Sequence, residues 1–239
     1  MKIEICCGHL ESARTAIRAG ADRLEMCSAL PLGGLTPSPS FIRQIKSESD
    51  TPLMVLIRPR EGYFYYTKKE KHQYLEEINA SITAGASGLV VGALTAEGAI
   101  DLPFLKEVLA HSNDLPITFH RAFDFVNEPF VALQQLIDLG IERLLTSGQQ
   151  SSAWAGRELI KSLTEKANKQ IIIMPGAGIH LDNIRELTAF CGSEEVHLSA
   201  KKLVKAQTGM SGLRLFDVDY WTADEDIIKN VTQTFLSGE

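Results

Sequence analysis

The sequence predicts an α/β protein with a single domain over residues 1–239, folded as a (β/α)8 TIM barrel of eight parallel strands that alternate with helices. Its 239 residues are the ordinary size of one such barrel. Short β-branched or apolar runs alternate with longer segments of helical periodicity. A similar helix-to-strand joint, which reads AGADRLEM, AGASGLVV and LGIERLLT, recurs along the chain and favours one repeated unit.

Each strand is predicted where a short apolar run follows an amphipathic segment. The predicted strands are residues 3–7, 23–27, 53–58, 89–92, 117–120, 143–146, 170–174 and 195–199. Gly20, Gly85 and Gly140 follow the last apolar turn of three predicted helices, where a left-handed residue would end the helix. Residues 203–220 are predicted to form a long surface loop that could cover the barrel mouth before a final helix.

An open, doubly wound sheet is the rival architecture for the same alternation of strands and helices. The near-even spacing of the units and the lack of a GxGxxG pattern after the first strand favour the closed barrel.

Composition excludes several classes of function. The net charge is -6 and the basic residues are dispersed, so nucleic-acid binding is not expected. No apolar run is long enough to cross a membrane, and the amino terminus turns polar too soon for a secretory signal. The four cysteines have no CxxC spacing, which predicts reduced thiols in a cytoplasmic protein. For any one of them the commoner role is that of a small buried hydrophobe.

Alternation along the strands indicates which side chains point into the barrel, because the outer faces must be apolar to pack against helices. The first strand then directs Glu4 and Cys6 inward, and the second directs Glu25 and Cys27 inward. The same reasoning adds further inward residues, namely Arg58, Thr118, His120, His197 and Ser199. These charges could neutralise one another in a structural network, but the position at strand ends favours a ligand site.

Candidates for general acid–base work come from the strand ends. His120-Arg121-Ala122-Phe123-Asp124 offers a base, a cation and a carboxylate within five residues. Together with Glu25 and Arg58, His120 and Asp124 are the predicted catalytic residues. Asp124 could instead cap the next turn.

An anion site is predicted at the same rim. Arg58 and Arg60 could clamp an anion, and the aromatic run 63–66 after them could cover the mouth or form a small loop core. Gly176 and Gly178 allow backbone amides close to a ligand, and Ser199 adds a donor. The glycines are equally compatible with a tight turn.

Nine motifs, in this order, cover nearly the whole chain: EICC, GADRLEMC, GGLTPS, IRPR, GLVVGAL, TFHRAFD, LTSGQ, GAGI and VHLSA. Together they resemble the CutC family, which is described as copper homeostasis proteins. The resemblance implies a (β/α)8 barrel, a cytoplasmic location and a role in intracellular copper handling, with Cu(I) binding by thiols proposed for some members. Carried onto this chain, the metal ligands would be Cys6 and Cys27, since Cu(I) is soft and prefers thiolates, while Cys7 should point outward.

Two hypotheses for function follow. In the first, the chain is a copper-binding homeostasis protein. In the second, it is a barrel enzyme that acts on a small anionic or phosphorylated metabolite. The sequence does not decide whether turnover occurs, and it leaves the oligomeric state open, a homo-oligomer included.

Overall fold

A computed structural model of the chain describes residues 1–205 and 219–236 and contains one parallel barrel. Its strands are β1 (Lys2–Cys7), β2 (Arg23–Met26), β3 (Leu53–Leu56), β4 (Gly88–Val91), β5 (Ile117–Phe119), β6 (Arg143–Thr146), β7 (Ile172–Pro175) and β8 (Glu195–Leu198). Each strand from β1 to β6 pairs with the next in the chain, and β1 also pairs with β8. A parallel bridge between Gly176 and His197 joins β7 to β8 and closes the ring. The predicted barrel is confirmed.

Helices surround the barrel on its outer side. They are α1 (Leu10–Arg18), α2 (Pro39–Glu48), α3 (Lys68–Thr83), α4 (Leu102–His111), α5 (Pro129–Asp138), α6 (Arg157–Ala167), α7 (Leu181–Cys191) and α8 (Glu225–Leu236). Two short 3-10 turns, Leu30–Leu32 and Arg121–Phe125, follow β2 and β5. Both turns lie in connections at the carboxyl ends of strands, which is where a (β/α)8 barrel carries its site.

Local sequence explains where the helices begin and end. Thr67 caps α3 in a reciprocal box, in which its side chain accepts the Glu70 amide and the Glu70 carboxylate accepts the Thr67 amide. Gly20, Gly85 and Gly140 have positive φ angles of 86°, 101° and 72°, as predicted for glycines that end a helix before the next strand.

The segment after β8 is more ordered than expected at both ends. Residues 203–220 are predicted as one loop, but β9 (Lys201–Val204) and β10 (Tyr220–Ala223) pair as an antiparallel ribbon. Ser12 on α1 accepts the Ala223 amide at 3.0 Å, which attaches the ribbon to the barrel wall. Most of the eight side chains of β9 and β10 are exposed, so these segments lack the alternation of apolar and polar residues by which a strand is predicted. The predicted cover over the mouth falls largely on 206–218, outside the described residues.

Two apolar layers confirm the predicted inward and outward faces. Ile3, Ile5 and Leu24 belong to the large core between strands and helices. Cys6 and Cys27 lie inside the barrel, in a small cluster completed by Met54, Leu56 and Val90. A one-residue shift in register would exchange the two sets, so burial fixes the register.

Charged residues fill the amino-terminal end of the barrel interior. Arg23 donates from Nε to Glu4 at 2.5 Å and from Nη2 to Glu195 at 2.6 Å. Arg143 donates from Nε to the same Glu195 oxygen at 3.1 Å. All four side chains are buried, so this end of the barrel is closed by a polar network.

No helix within the described ranges combines the length and the apolar character that a bilayer crossing requires.

Candidate functional site

A cavity of about 600 Å³ opens at the carboxyl ends of the strands. It extends from the interior of β1 and β2 to the loops that follow β7 and β8. The predicted site residues in its lining are Cys6, Glu25, Arg58, His120, Gly178 and Ser199. The structure therefore brings together residues that are up to 193 positions apart in the chain.

The floor of the cavity contains two thiols. The Cys6 and Cys27 Sγ atoms are 3.5 Å apart, and Cys6 donates to the Glu25 carboxylate at 3.0 Å. Cys6 pairs with Glu25 in the register of β1 and β2, which places these side chains at one depth. The hydrogen bond with Cys27, burial and the charge of Glu25 raise the pKa of the Cys6 thiol well above its usual value. The Cys6 thiol is thus held as a neutral group until a metal or a base removes its proton.

His197 lies beside this pair. Its Nδ1 is 2.7 Å from a Glu4 oxygen, and its Nε2 is 3.7 Å from a Glu25 oxygen. Burial opposes ionisation of Glu4, but His197 and Arg23 outweigh it and lower the pKa of Glu4 to about 2. Burial likewise opposes the charged imidazole, yet Glu25, Cys6 and Glu4 raise the pKa of His197 well above its usual value. Burial raises the pKa of Glu25.

Metal-binding side chains cluster in two overlapping groups among the described residues. In the first, the ligand atoms of Cys6, Glu25 and Cys27 all lie within 4.8 Å of one another, and in the second those of Glu4, Glu25 and His197 do so. The thiols suit a soft ion such as Cu(I), whereas the carboxylates and the imidazole suit harder or borderline ions. Glu25 belongs to both groups, so a metal at either position would contact it.

Arg58 is a buried cation at the mouth. Its guanidinium donates to three backbone carbonyls: Nη1 to Leu32 at 2.9 Å and to Gly34 at 2.8 Å, and Nη2 to Gly62 at 3.1 Å. Within the described residues, no carboxylate lies within 4.0 Å of it and its Nε has no acceptor. Such a charge stabilises an anion brought next to it.

His120 packs against Phe64, the same ring that Arg58 contacts. Its Nδ1 accepts the Ala122 amide at 3.1 Å, and its buried Nε2 has no partner in the described parts of the chain. The ring packs 4.9 Å from the Phe64 ring on one side and against Gly92 on the other, where a Cβ would lie 2.3 Å from Cε1. Burial and the charge of Arg58 lower the pKa of His120 to about 3.

Asp124 lies outside the lining of the cavity. Its carboxylate accepts from the Thr146 hydroxyl at 2.5 Å, the Ser147 amide at 3.0 Å and Arg121 Nε at 2.8 Å. It therefore fixes the loop after β6 and holds Arg121, which does line the cavity. Asp124 lies in the 3-10 turn Arg121–Phe125, but its contacts reach the loop after β6 and do not cap the next helix, whose N-cap is Glu128. Arg121 belongs to the same five-residue motif as Asp124. The sequence contains no signal that shows which of these two side chains faces the mouth.

Arg60 also lies outside the lining, although the sequence favours it as an anion clamp. Its guanidinium pairs with Glu70 and donates to the carbonyls of Glu61, Tyr63 and Tyr65, so it binds its own loop together. Gly176 contributes backbone to the closing bridge rather than to the lining, whereas Gly178 reaches the cavity.

Comparison with known proteins gives consistent matches over most of the chain. A model described as the CutC family matches residues 1–202, which include all eight barrel strands. The chain is 41% identical to a family protein CutC of Histophilus somni, over 98% of this chain and 99% of the relative. It is 45% identical to the copper homeostasis protein cutC homolog of Homo sapiens, over 83% of this chain and 73% of the human one. A crystal structure of a CutC protein from Streptococcus agalactiae, 30% identical, matches with a TM-score of 0.80 over 83% of this chain and 98% of that one.

Proposed function

The chain belongs to the CutC family, and on that basis we propose that it is a cytoplasmic copper homeostasis protein that binds one Cu(I) ion through Cys6 and Cys27. The separation of 3.5 Å between the two Sγ atoms carries the proposal, because it allows both thiolates to reach one ion with small side-chain movements. Cu(I) is soft, prefers sulfur and is satisfied by few ligands. All four cysteines are free thiols, which agrees with a reducing compartment.

The position of the two thiols supports exchange of the ion. Cys6 contributes to the cavity lining, whereas Cys27 lies behind it and is completely buried. An ion that enters through the mouth would meet Cys6 first and then Cys27. Binding releases thiol protons, and the neighbouring Glu25 carboxylate is placed to accept the proton of Cys6.

Replacing both Cys6 and Cys27 with Ser should abolish stoichiometric Cu(I) binding, because hydroxyl oxygens are poor ligands for this soft ion. The measurement is an anaerobic competition against a chromogenic Cu(I) chelator, with circular dichroism to show that the barrel is intact.

The chain provides a matched control for this experiment. Cys7 and Cys191 are also buried, but Cys7 packs between the strands and the helices and Cys191 ends α7. The Cys7→Ser, Cys191→Ser double variant removes two thiols and should keep full Cu(I) binding. Undiminished binding by the Cys6, Cys27 variant, or equal loss in both variants, would refute the proposed site.

A second candidate function is favoured by the size of the cavity, since about 600 Å³ exceeds what a single ion needs. In this alternative the barrel is an enzyme for a small anionic or phosphorylated metabolite. Glu25 and His120 are its acid–base candidates, and Arg58 with the Gly178 loop would hold the anion.

The second candidate predicts that a small molecule accompanies the purified protein. Native mass spectrometry of wild type should show an anionic ligand, and the ligand should be lost from the Arg58→Ala variant. The same measurement is repeated after the purified wild type has been incubated with cell extract. The enzyme hypothesis is wrong if no bound anion is found before or after that incubation.

A further inference from the structure

Two buried hydrogen-bond donors without acceptors belong to residues that line the cavity and pack against the same Phe64 ring. Arg58 Nε and His120 Nε2 are both covered from solvent, and neither has a partner in the described residues. The two side chains retain exposures of 6% and 5% and contribute to the same lining. An unsatisfied buried donor costs free energy, and a pair at one place indicates a ligand group that satisfies both.

The hydrogen-bond geometry identifies the form of the imidazole. Nδ1 of His120 accepts the Ala122 amide, so the single proton of the neutral ring resides on Nε2. His120 is therefore a donor without charge, and Arg58 supplies one positive charge. Arg58 and His120 together therefore present at least two N–H donors and a net charge of +1.

The other cations of the lining do not change this charge balance. Arg121 is paired with Asp124 at 2.8 Å, His197 is paired with Glu4 at 2.7 Å, and Lys201 is exposed at the rim, where it lies over the Trp221 ring. Beside Arg58 and His120 the wall is apolar, formed by Leu30, Leu56 and Phe64. A singly charged planar group on a short organic body fits these surroundings better than a phosphate dianion.

We propose that Arg58 and His120 together bind the carboxylate of a small organic monocarboxylic acid, one oxygen accepting from Arg58 Nε and the other from His120 Nε2. This proposal restricts the ligand class of the second candidate function to monocarboxylates. It rests on that candidate function in one respect, the binding of a small anion in the barrel mouth. It is independent of copper, whose thiol ligands lie at the cavity floor.

Phe64 covers the two donors. Its ring centroid is 4.9 Å from that of His120 and 5.2 Å from Arg58 Cζ. Gly62, with φ of +83°, precedes it in the same loop and has open space around its Cα apart from the Arg60 guanidinium. The carboxylate reaches the donors when the Phe64 ring turns aside, and the ring then packs on the body of the ligand.

The test uses defined probes rather than an unknown metabolite. Binding of propionate and lactate to the purified, metal-free full chain is measured by ligand-detected NMR and calorimetry, with propionamide, lactamide and inorganic phosphate as comparison probes. The acids should bind at least about 10-fold more tightly than their amides, because a charged acceptor strengthens both hydrogen bonds. His120→Phe and Arg58→Gln should each weaken binding of the acids by about 10-fold or more.

Controls separate this proposal from folding and from the proposed functions. Arg43→Gln makes the same charge change on an exposed position of α2 and should leave binding unchanged. If Arg58→Gln does not fold, because it loses three backbone contacts, His120→Phe still decides the outcome. Cu(I) binding should survive in both mouth variants, and acid binding without any turnover would contradict only the enzyme hypothesis. The carboxylate site is wrong if neither acid binds to wild type, if amides bind equally well, if phosphate alone binds, or if His120→Phe binds the acids as wild type does.

Discussion

Replacing Arg23 with Met should lower the free energy of unfolding by about 3–5 kcal/mol, the usual loss when one partner of a buried ion pair is removed. Arg23 donates to both Glu4 and Glu195 inside the barrel, and both carboxylates are almost completely buried. Without Arg23, Glu195 keeps Arg143 and Glu4 keeps His197, but each loses its closest cation. The remaining negative charge is then insufficiently compensated in a medium that water does not reach.

Chemical denaturation at neutral pH measures this loss. Arg14→Met is the matched control, because Arg14 also pairs with two carboxylates, Glu11 and Glu48, but on the surface. Its loss should be much smaller, since solvent screens exposed pairs. Equal losses from Arg14→Met and Arg23→Met would mean that the buried ion pairs of Arg23 stabilise the fold no more than exposed ion pairs do.

The barrel and the inward residues could be predicted because both depend on local pattern. Strands buried on both faces read as short apolar runs, and a polar residue at every second position of such a run can only face the interior. In β1 and β2 the repeated pair Glu-x-Cys was enough to place Glu4, Cys6, Glu25 and Cys27 in one lumen. Register then followed from the need to bury the opposite face.

The use of individual loop residues could not be predicted in the same way. Arg60 and Asp124 are the right residue types at the right strand ends, but they are committed to Glu70 and to the loop after β6. Those partners lie 10 and 23 positions away, so no local pattern reveals them. The lack of an acceptor for Arg58 Nε among the described residues is likewise a property of its surroundings in space. Whether an inward charge is structural or free for a ligand is therefore decided only by the folded chain.

Between pH 6.5 and pH 3, His120 should cost the folded protein roughly 5 kcal/mol of stability. Burial and the charge of Arg58 lower the pKa of His120 from 6.5 to about 3 in the folded chain. In the unfolded chain the imidazole is solvated and regains its ordinary pKa near 6.5.

The sign follows from counting protons. Within this pH range the unfolded chain binds one more proton at this histidine than the folded chain does, so acidification favours unfolding. The contribution is present in full above pH 6.5, decreases by about 1.4 kcal/mol per pH unit as the pH falls, and is lost at about pH 3. Carboxylates also make the stability depend on pH. Their contribution is the same in wild type and in a His120 variant, so it cancels when the two are compared.

His120→Phe should abolish this part of the pH dependence, because a phenyl ring fills the space between Gly92 and Phe64 but binds no proton. Denaturant titrations of wild type and variant at several pH values from 7 to 4 give the difference in slope. His111→Phe, at an exposed position at the end of α4, is the control, because solvent reaches that imidazole in both the folded and the unfolded chain. Parallel stability curves for wild type and His120→Phe would show that the folded and the unfolded chain bind the His120 proton equally, so that burial does not lower its pKa. A pH dependence of the opposite sign would show that His120 is protonated in the folded protein. That charge would give the carboxylate site two positive charges, so the same curves test whether the mouth is matched to a monoanion or to a dianion.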